Sequence, residues 1–308
     1  MVETEEVPPR MKVWLEAARP RTLALAVAGI GLGILLAAAH GAHRWSVAFL
    51  ALLTAILLQI LSNLANDYGD AIHGADSVAR RGPRRAVHSG MISRSEMKQA
   101  IALVAGLAAI SGVLLVLSAF GWDGLLLVGL FLLLGALAIW AAISYTASSR
   151  PYGYAGLGDL AVFIFFGPIA TAGAYFLQRE VLPPTVLLPA ISVGLFSVAV
   201  LNINNIRDLK SDRAAGKQSL PVRLGPRRAR LYHWLLLLGG LLAAVAYVLL
   251  NYHSPWQWLF LAVSPLLLQN GLAVSRIQDP ARLDPLLKQM SLTTLLFVAT
   301  FGTGHLLA

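Results

Sequence analysis

The chain has 308 residues, 57% of them hydrophobic and 13% charged, and its mean hydropathy is positive. That balance excludes an ordinary soluble domain and fits a polytopic membrane protein. The lack of cysteine excludes disulfides, thiolate zinc sites and iron–sulfur clusters, and a net charge of +9 would point to nucleic acid only if the basic residues did not follow the topology.

Residues 1–13 are polar and are expected to form a mobile cytoplasmic tail, leaving 14–308 as a single transmembrane domain. About 20 apolar residues cross roughly 30 Å of hydrocarbon. Runs of that kind lie near 22–39, 46–65, 98–119, 125–146, 157–177, 186–206, 231–250, 256–274 and 291–307, which predicts an all-α polytopic membrane protein with nine transmembrane helices. The first run is longer than a signal-peptide core of about 7–15 residues and reads as a retained span. Within it, Gly29 and Gly33 form a small-xxx-small pair that permits close helix approach. Ser93 and Glu96 have the spacing of a capping box at the start of the third span. Gly216, Pro221, Gly225 and Pro226 punctuate the loop before the seventh.

With the N-terminus inside, 22 of the 24 basic residues fall on inner segments and only Arg44 and Arg179 on outer loops. This is the positive-inside pattern. It accounts for the net charge without nucleic acid, and it places the chain in the inner cell membrane with its N-terminus and long polar loops in the cytoplasm. Arg44, outside, is expected to be dispensable.

Two polar clusters close apolar runs at that inner face. Residues 63–76 hold Asn63, Asn66, Asp67, Asp70 and Asp76, and residues 202–212 hold Asn202, Asn204, Asn205, Asp208 and Asp212. Asn66 and Asp70 stand in the same relation as Asn204 and Asp208, so one device occurs twice. A helix C-terminus already carries partial negative charge, so carboxylates gathered there call for a cation. Oxygen ligands without cysteine favour Mg²⁺ over zinc or copper. Such sites, ringed by Arg and Lys, suit a diphosphate held through bridging Mg²⁺, with apolar walls for a hydrocarbon tail. Asp159, at the edge of the fifth span, is an ionisable group where such groups are costly and is a further candidate.

Asn66-Asp-Tyr-Gly-Asp70 and Asn205-Ile-Arg-Asp208-Leu-Lys-Ser-Asp212 resemble the two Asp-rich motifs of the UbiA superfamily of intramembrane aromatic prenyltransferases. The stretches Gln59–Asp70, Arg150–Asp159 and Gly216–Gly225 are similar to the branch of that superfamily that prenylates 1,4-dihydroxy-2-naphthoate in menaquinone synthesis. Gly74 stands where many relatives carry an acidic residue, and the carboxylate comes at Asp76.

The resemblance implies helices bundled around a central cavity open to the cytoplasmic face. The implied reaction moves a polyprenyl group from its diphosphate to dihydroxynaphthoate, with loss of diphosphate and CO₂. It assigns Asn66, Asp70, Asp208 and Asp212 to Mg²⁺, with Asp67, Asp76 and Asn204 as supporting ligands. Asp70 and Asp208, with Tyr145 and Asp159, would serve the chemistry, Tyr145 by shielding an allyl cation. Asn63, Arg19, Arg80, Arg81, Arg150, Lys217 and Arg223 would contact substrate. The partners implied are polyprenyl diphosphate, dihydroxynaphthoate and membrane lipid, with no obligate protein partner. A 4-hydroxybenzoate acceptor, and a secondary transporter built on the same two-fold pattern, stay open at this point.

Overall fold

The computed structural model describes residues 9–74 and 85–308, and among them every regular element is helical. A short α1 (Arg10–Ala18) precedes α2 (Pro20–Ala39), α3 (Trp45–Ile72), α4 (Arg94–Phe120) and α5 (Leu125–Ser144). A composite span follows, made of α6 (Gly158–Ile164), a π-helical segment at Phe165–Ala172 and α7 (Gly173–Arg179). Next come α8 (Leu187–Arg207), the six-residue α9 (Leu209–Ala214), α10 (Leu220–Leu250), α11 (Ser264–Arg276) and α12 (Asp284–Leu306).

Eight segments among the described residues are long and apolar enough to cross a membrane, and they coincide with the first eight expected spans. The last expected span is α12, 23 residues long, whose Ser291, Thr293, Thr294, Thr300 and Thr303 make it more polar than the others. Arg10–Val13, expected in a mobile tail, instead open α1. Its apolar positions Val13 and Ala17 are buried against Leu64, Ile92 and Met97.

In lipid, helices associate through close packing rather than through burial from water. Gly29 and Gly33 do this for α2. A Cβ at Gly29 would stand 2.6 Å from the Phe166 carbonyl oxygen, and one at Gly33 would stand 2.2 Å from that of Thr171. The surface they meet is the π-helical segment, and Thr171 Oγ1 donates to the Gly29 carbonyl at 3.0 Å. Pro168, inside that segment, has no N–H and crowds the preceding turn, which the wider π spacing accommodates. Helix α8 is the most buried of the eight and packs against α10, α12 and this segment.

Helix ends set where the polar groups emerge. The 28 residues of α3 make a rod of about 42 Å at about 1.5 Å per residue, longer than the roughly 30 Å of hydrocarbon. Its last turns therefore carry Asn66 and Asp70 beyond the apolar zone while still helical. The capping box forms as the sequence predicts: Glu96 N–H donates to Ser93 Oγ at 3.2 Å and Ser93 N–H donates to Glu96 Oε2 at 2.9 Å. Gly225, at φ 76°, breaks α10 before Pro226.

Arg44 is not the idle outer residue the sequence suggests. Its guanidinium donates to the carbonyls of Ser118 and Ala119 in the last turn of α4, at 3.0 and 2.5 Å, and to Glu180 at 3.2 Å. A cation on those carbonyls offsets the negative end of α4.

Candidate active site

A cavity of about 940 Å³ opens among α2, α3, α4, α5, the composite span and α8. One end is polar and is formed by both Asp motifs; the remainder is walled by Leu58, Leu115, Phe131, Phe166, Phe176 and other apolar groups. The polar end follows from helical spacing. Asn63, Asn66 and Asp70 step by three and four along α3 and share one face, and all three line the cavity. Asn204, Asp208 and Asp212 step by four through the end of α8 into α9 and line the facing wall. The two copies of the device thus meet across one space.

Asp70 is held by three groups among the described residues. Its Oδ1 accepts from Tyr154 Oη at 2.8 Å and Lys217 Nζ at 2.9 Å, and its Oδ2 accepts from Arg85 at 2.6 Å. Lys217 also lies 3.7 Å from Asp212 Oδ1, and its Nζ stands 4.6 Å from the centre of the Tyr154 ring. One ammonium therefore serves a carboxylate from each motif. Asp208 is held by its neighbour: Arg207 Nε and Nη2 donate to Oδ1 and Oδ2 at 2.9 and 2.7 Å. The same guanidinium donates to Asn204 Oδ1 at 2.8 Å and to Asp284 at the start of α12. Arg21 binds Asp284 from the other side at 2.9 Å.

Among the described lining residues, four carboxylates (Asp70, Asp159, Asp208, Asp212) face four basic groups (Arg19, Arg21, Arg85, Lys217). Among these described residues the charges balance formally, so each carboxylate here has a basic counterpart available. Mg²⁺ commonly takes only one or two protein carboxylates and completes its shell with water and phosphate oxygens. No three acidic or histidine side chains among the described residues gather into a ready metal cage. Pairs of oxygen donors at the meeting point of the two motifs do fit an ion shared with a diphosphate.

Several expected residues take other roles. Asp67 does not line the cavity. It lies about 100° round the helix from Asn66 and accepts the backbone N–H groups of Ala86 and Val87 at 3.0 and 3.2 Å, pinning that segment to α3. Arg150 is exposed and outside the cavity. Arg223 spends its guanidinium on the carbonyls of Gln218 and Ala155, at 3.0 and 2.7 Å, joining two loops rather than facing a substrate. Asp76, Arg80 and Arg81 lie outside the described residues.

The others are brought to the cavity. Arg19 lines it from a left-handed elbow, φ 51°, between α1 and α2. Asn63 donates to the carbonyl of Ala18 and to Thr22 Oγ1, at 2.8 and 2.9 Å, bracing that elbow. Asn66 accepts from Thr146 Oγ1 at 2.8 Å. Gly69 lets Thr146 come this near, since a Cβ there would stand 2.5 Å from the Thr146 carbonyl. Tyr145 lies over Gly153 and Gly158, its ring nearly perpendicular to that of Tyr152. Asp159 accepts from Tyr232 at 3.3 Å.

Sequence reasoning missed Arg85, Tyr154, Arg207 and Asp284 as partners. Arg85 was one of a run of four arginines with nothing to single it out, and Arg207 lay in plain sight inside Asn-Ile-Arg-Asp. Asp284 carried no signal, because its partners are 77 and 263 residues away.

The UbiA prenyltransferase family profile matches residues 24–298. The chain is 48% identical over 299 residues to the 1,4-dihydroxy-2-naphthoate octaprenyltransferase of Escherichia coli K12, covering 96% of both chains. It is 42% identical over 300 residues to that of Haemophilus influenzae, covering 97% of both. A solved UbiA homolog from Archaeoglobus fulgidus, bound to GPP and Mg²⁺, superposes with a TM-score of 0.63 over 96% of this chain and 100% of that one, at 16% identity. At that identity the likeness speaks for the fold.

Proposed function

The chain belongs to the UbiA prenyltransferase family, and on that footing we propose that it transfers a polyprenyl group from its diphosphate to 1,4-dihydroxy-2-naphthoate, releasing diphosphate and CO₂ and giving demethylmenaquinol. The observation that carries this reading is the single cavity with an acidic and basic end, where the two Asp motifs meet, continuous with an apolar chamber. Its two halves match the two halves of an amphiphilic diphosphate ester.

Asp70, Asp208 and Asp212, with the amide oxygens of Asn66 and Asn204, would hold Mg²⁺ at the polar end. Bound there, the metal supplies Lewis-acid neutralisation of the diphosphate charge. The chain's own residues do the rest. Lys217, Arg85 and Arg19 donate to diphosphate oxygens and stabilise the pair of electrons they receive as the allylic C–O bond breaks. Tyr145 presents a ring face to the cationic carbon fragment. Phe131, Phe165, Phe166 and Phe176 keep water from it along the tail. The electron-rich acceptor ring then forms the new C–C bond, and its carboxylate departs as CO₂.

The Asp-bearing end is the cytoplasmic one in this reading, because 22 of the 24 basic residues belong to segments on that side. Helix α12 is the ninth span, and the membrane is the inner cell membrane. Purified protein with Mg²⁺, a polyprenyl diphosphate and either dihydroxynaphthoate or 4-hydroxybenzoate tests the proposal by product mass and CO₂ release. Prenylated naphthoquinol with CO₂, lost on adding EDTA, is expected. Turnover of hydroxybenzoate alone would overturn the acceptor assignment.

A further inference from the structure

A second recess, of about 1290 Å³, lies behind the catalytic wall, between α8, α9, α10 and the α11–α12 connection. Its lining divides by chemistry. Lys210, Arg227 and Arg228, all exposed, and Arg230 supply its basic groups, and Leu231, Trp234 and Leu283 its apolar lining. Among the described lining residues the one carboxylate is Asp279, which caps the turn at Ala281 with a 3.1 Å bond. Arg230 is committed to structure: it donates to the carbonyls of Val274 and Ile277, at 3.0 and 2.9 Å, and so fixes α10 against the end of α11. Arg207 is committed to Asp208 and Asp284. That leaves Lys210, Arg227 and Arg228 as three cationic groups around an opening that also has apolar lining.

Position narrows what fits. Leu231, 62% exposed, begins the lipid-facing stretch of α10, whereas Arg227 and Arg228 sit just after the Gly225 break. The recess thus straddles the boundary between hydrocarbon and water, with its charges on the water side. A free inorganic anion would use the charges and leave the apolar side idle; a zwitterionic lipid would bring a cation to a positive opening.

We propose that this recess binds the phosphate-bearing headgroup of an anionic glycerophospholipid, with Lys210, Arg227 and Arg228 on the phosphate and Leu231 and Trp234 against the first part of an acyl chain. Ser211 lines both this recess and the catalytic cavity, so the lipid lies against the back of the segment that carries Asp208 and Asp212.

The full chain, purified in a neutral detergent, is titrated with phosphatidylglycerol, phosphatidylcholine or inorganic phosphate, and its thermal unfolding is followed. Phosphatidylglycerol is expected to stabilise the wild type and the variant K12Q/R94Q/K98Q, which loses the same charge elsewhere on that end. The variant K210Q/R227Q/R228Q should bind it on the order of a hundredfold more weakly, a factor of about 5 for each basic residue. Equal responses of the two triple variants, or equal stabilisation by inorganic phosphate or phosphatidylcholine, overturn the proposal. A second measurement does not depend on the triple variant folding. Phosphatidylglycerol with brominated acyl chains should quench a share of tryptophan fluorescence that is present in the wild type and absent from W234F; identical quenching in both overturns the site.

Discussion

Lys217 Nζ lies 2.9 Å from Asp70 Oδ1, joining residues 147 positions apart and, through its 3.7 Å approach to Asp212, the two Asp motifs. A protein cation thus already stands where the proposed chemistry needs positive charge. Replacement by Gln removes that charge while keeping much of the volume. We expect kcat/KM for the diphosphate substrate to fall about 10²–10³-fold in K217Q, in the range typical for losing one transition-state donor, with the protein still folded but destabilised by the lost partner of two buried carboxylates. Wild-type turnover in that variant would remove Lys217 from the diphosphate site.

The two acids of the first motif should part company on mutation. Asp70→Asn is expected to abolish turnover and leave a folded protein, because an amide cannot replace a carboxylate on Mg²⁺. Asp67→Asn should instead cost about 1–3 kcal/mol of stability through its lost charged acceptance of two backbone N–H groups. Activity and thermal unfolding measured side by side decide the matter. Lost turnover at unchanged stability in D67N would return Asp67 to the metal site.

Arg44→Ala leaves the last carbonyls of α4 and the Glu180 carboxylate without their partner. A loss of about 1–3 kcal/mol is expected, with turnover at low temperature intact. Unchanged unfolding would show that water replaces the guanidinium at no cost.

The apolar chamber should set which tails are accepted. Gly112 lines it, and a Cβ added there would meet only Thr54 Cγ2, at 3.9 Å. A phenylalanine at 112 therefore projects into free space rather than into a neighbour. In G112F, turnover with long polyprenyl diphosphates should fall at least about tenfold relative to short ones, a difference of about 1.4 kcal/mol. An unaltered ratio would put the tail elsewhere.

Much of this arrangement was legible in the chain. Eight spans, the Ser93–Glu96 cap, the close approach at Gly29 and Gly33 and the shared faces within each Asp motif follow from local pattern, whereas the meeting of the two motifs was implied by the family resemblance. Local pattern works because a helix in lipid must satisfy its own backbone, which ties each span to one stretch of sequence. Asp67 escaped because spacing puts it near Asp70 without saying which face of α3 turns inward. Arg150 and Arg223 were placed at the site by motif likeness, although their directions depend on loop geometry. The Arg21, Asp284 and Arg207 chain joins α2, α12 and α8, and nothing near any one of them in sequence announces the other two.

Leu130, Leu132, Ile169, Leu182 and Leu187 line the cavity and are 37–48% exposed. An apolar wall exposed to that degree would offer a doorway toward lipid. Leu130 and Leu132 belong to α5, the least buried of the eight spans. Under the proposed reaction the donor would shed its diphosphate and the acceptor its carboxylate, so the product would gain nothing from leaving toward water. Such a product would pass sideways between these side chains into the bilayer, while the ionic by-product would leave from the charged end.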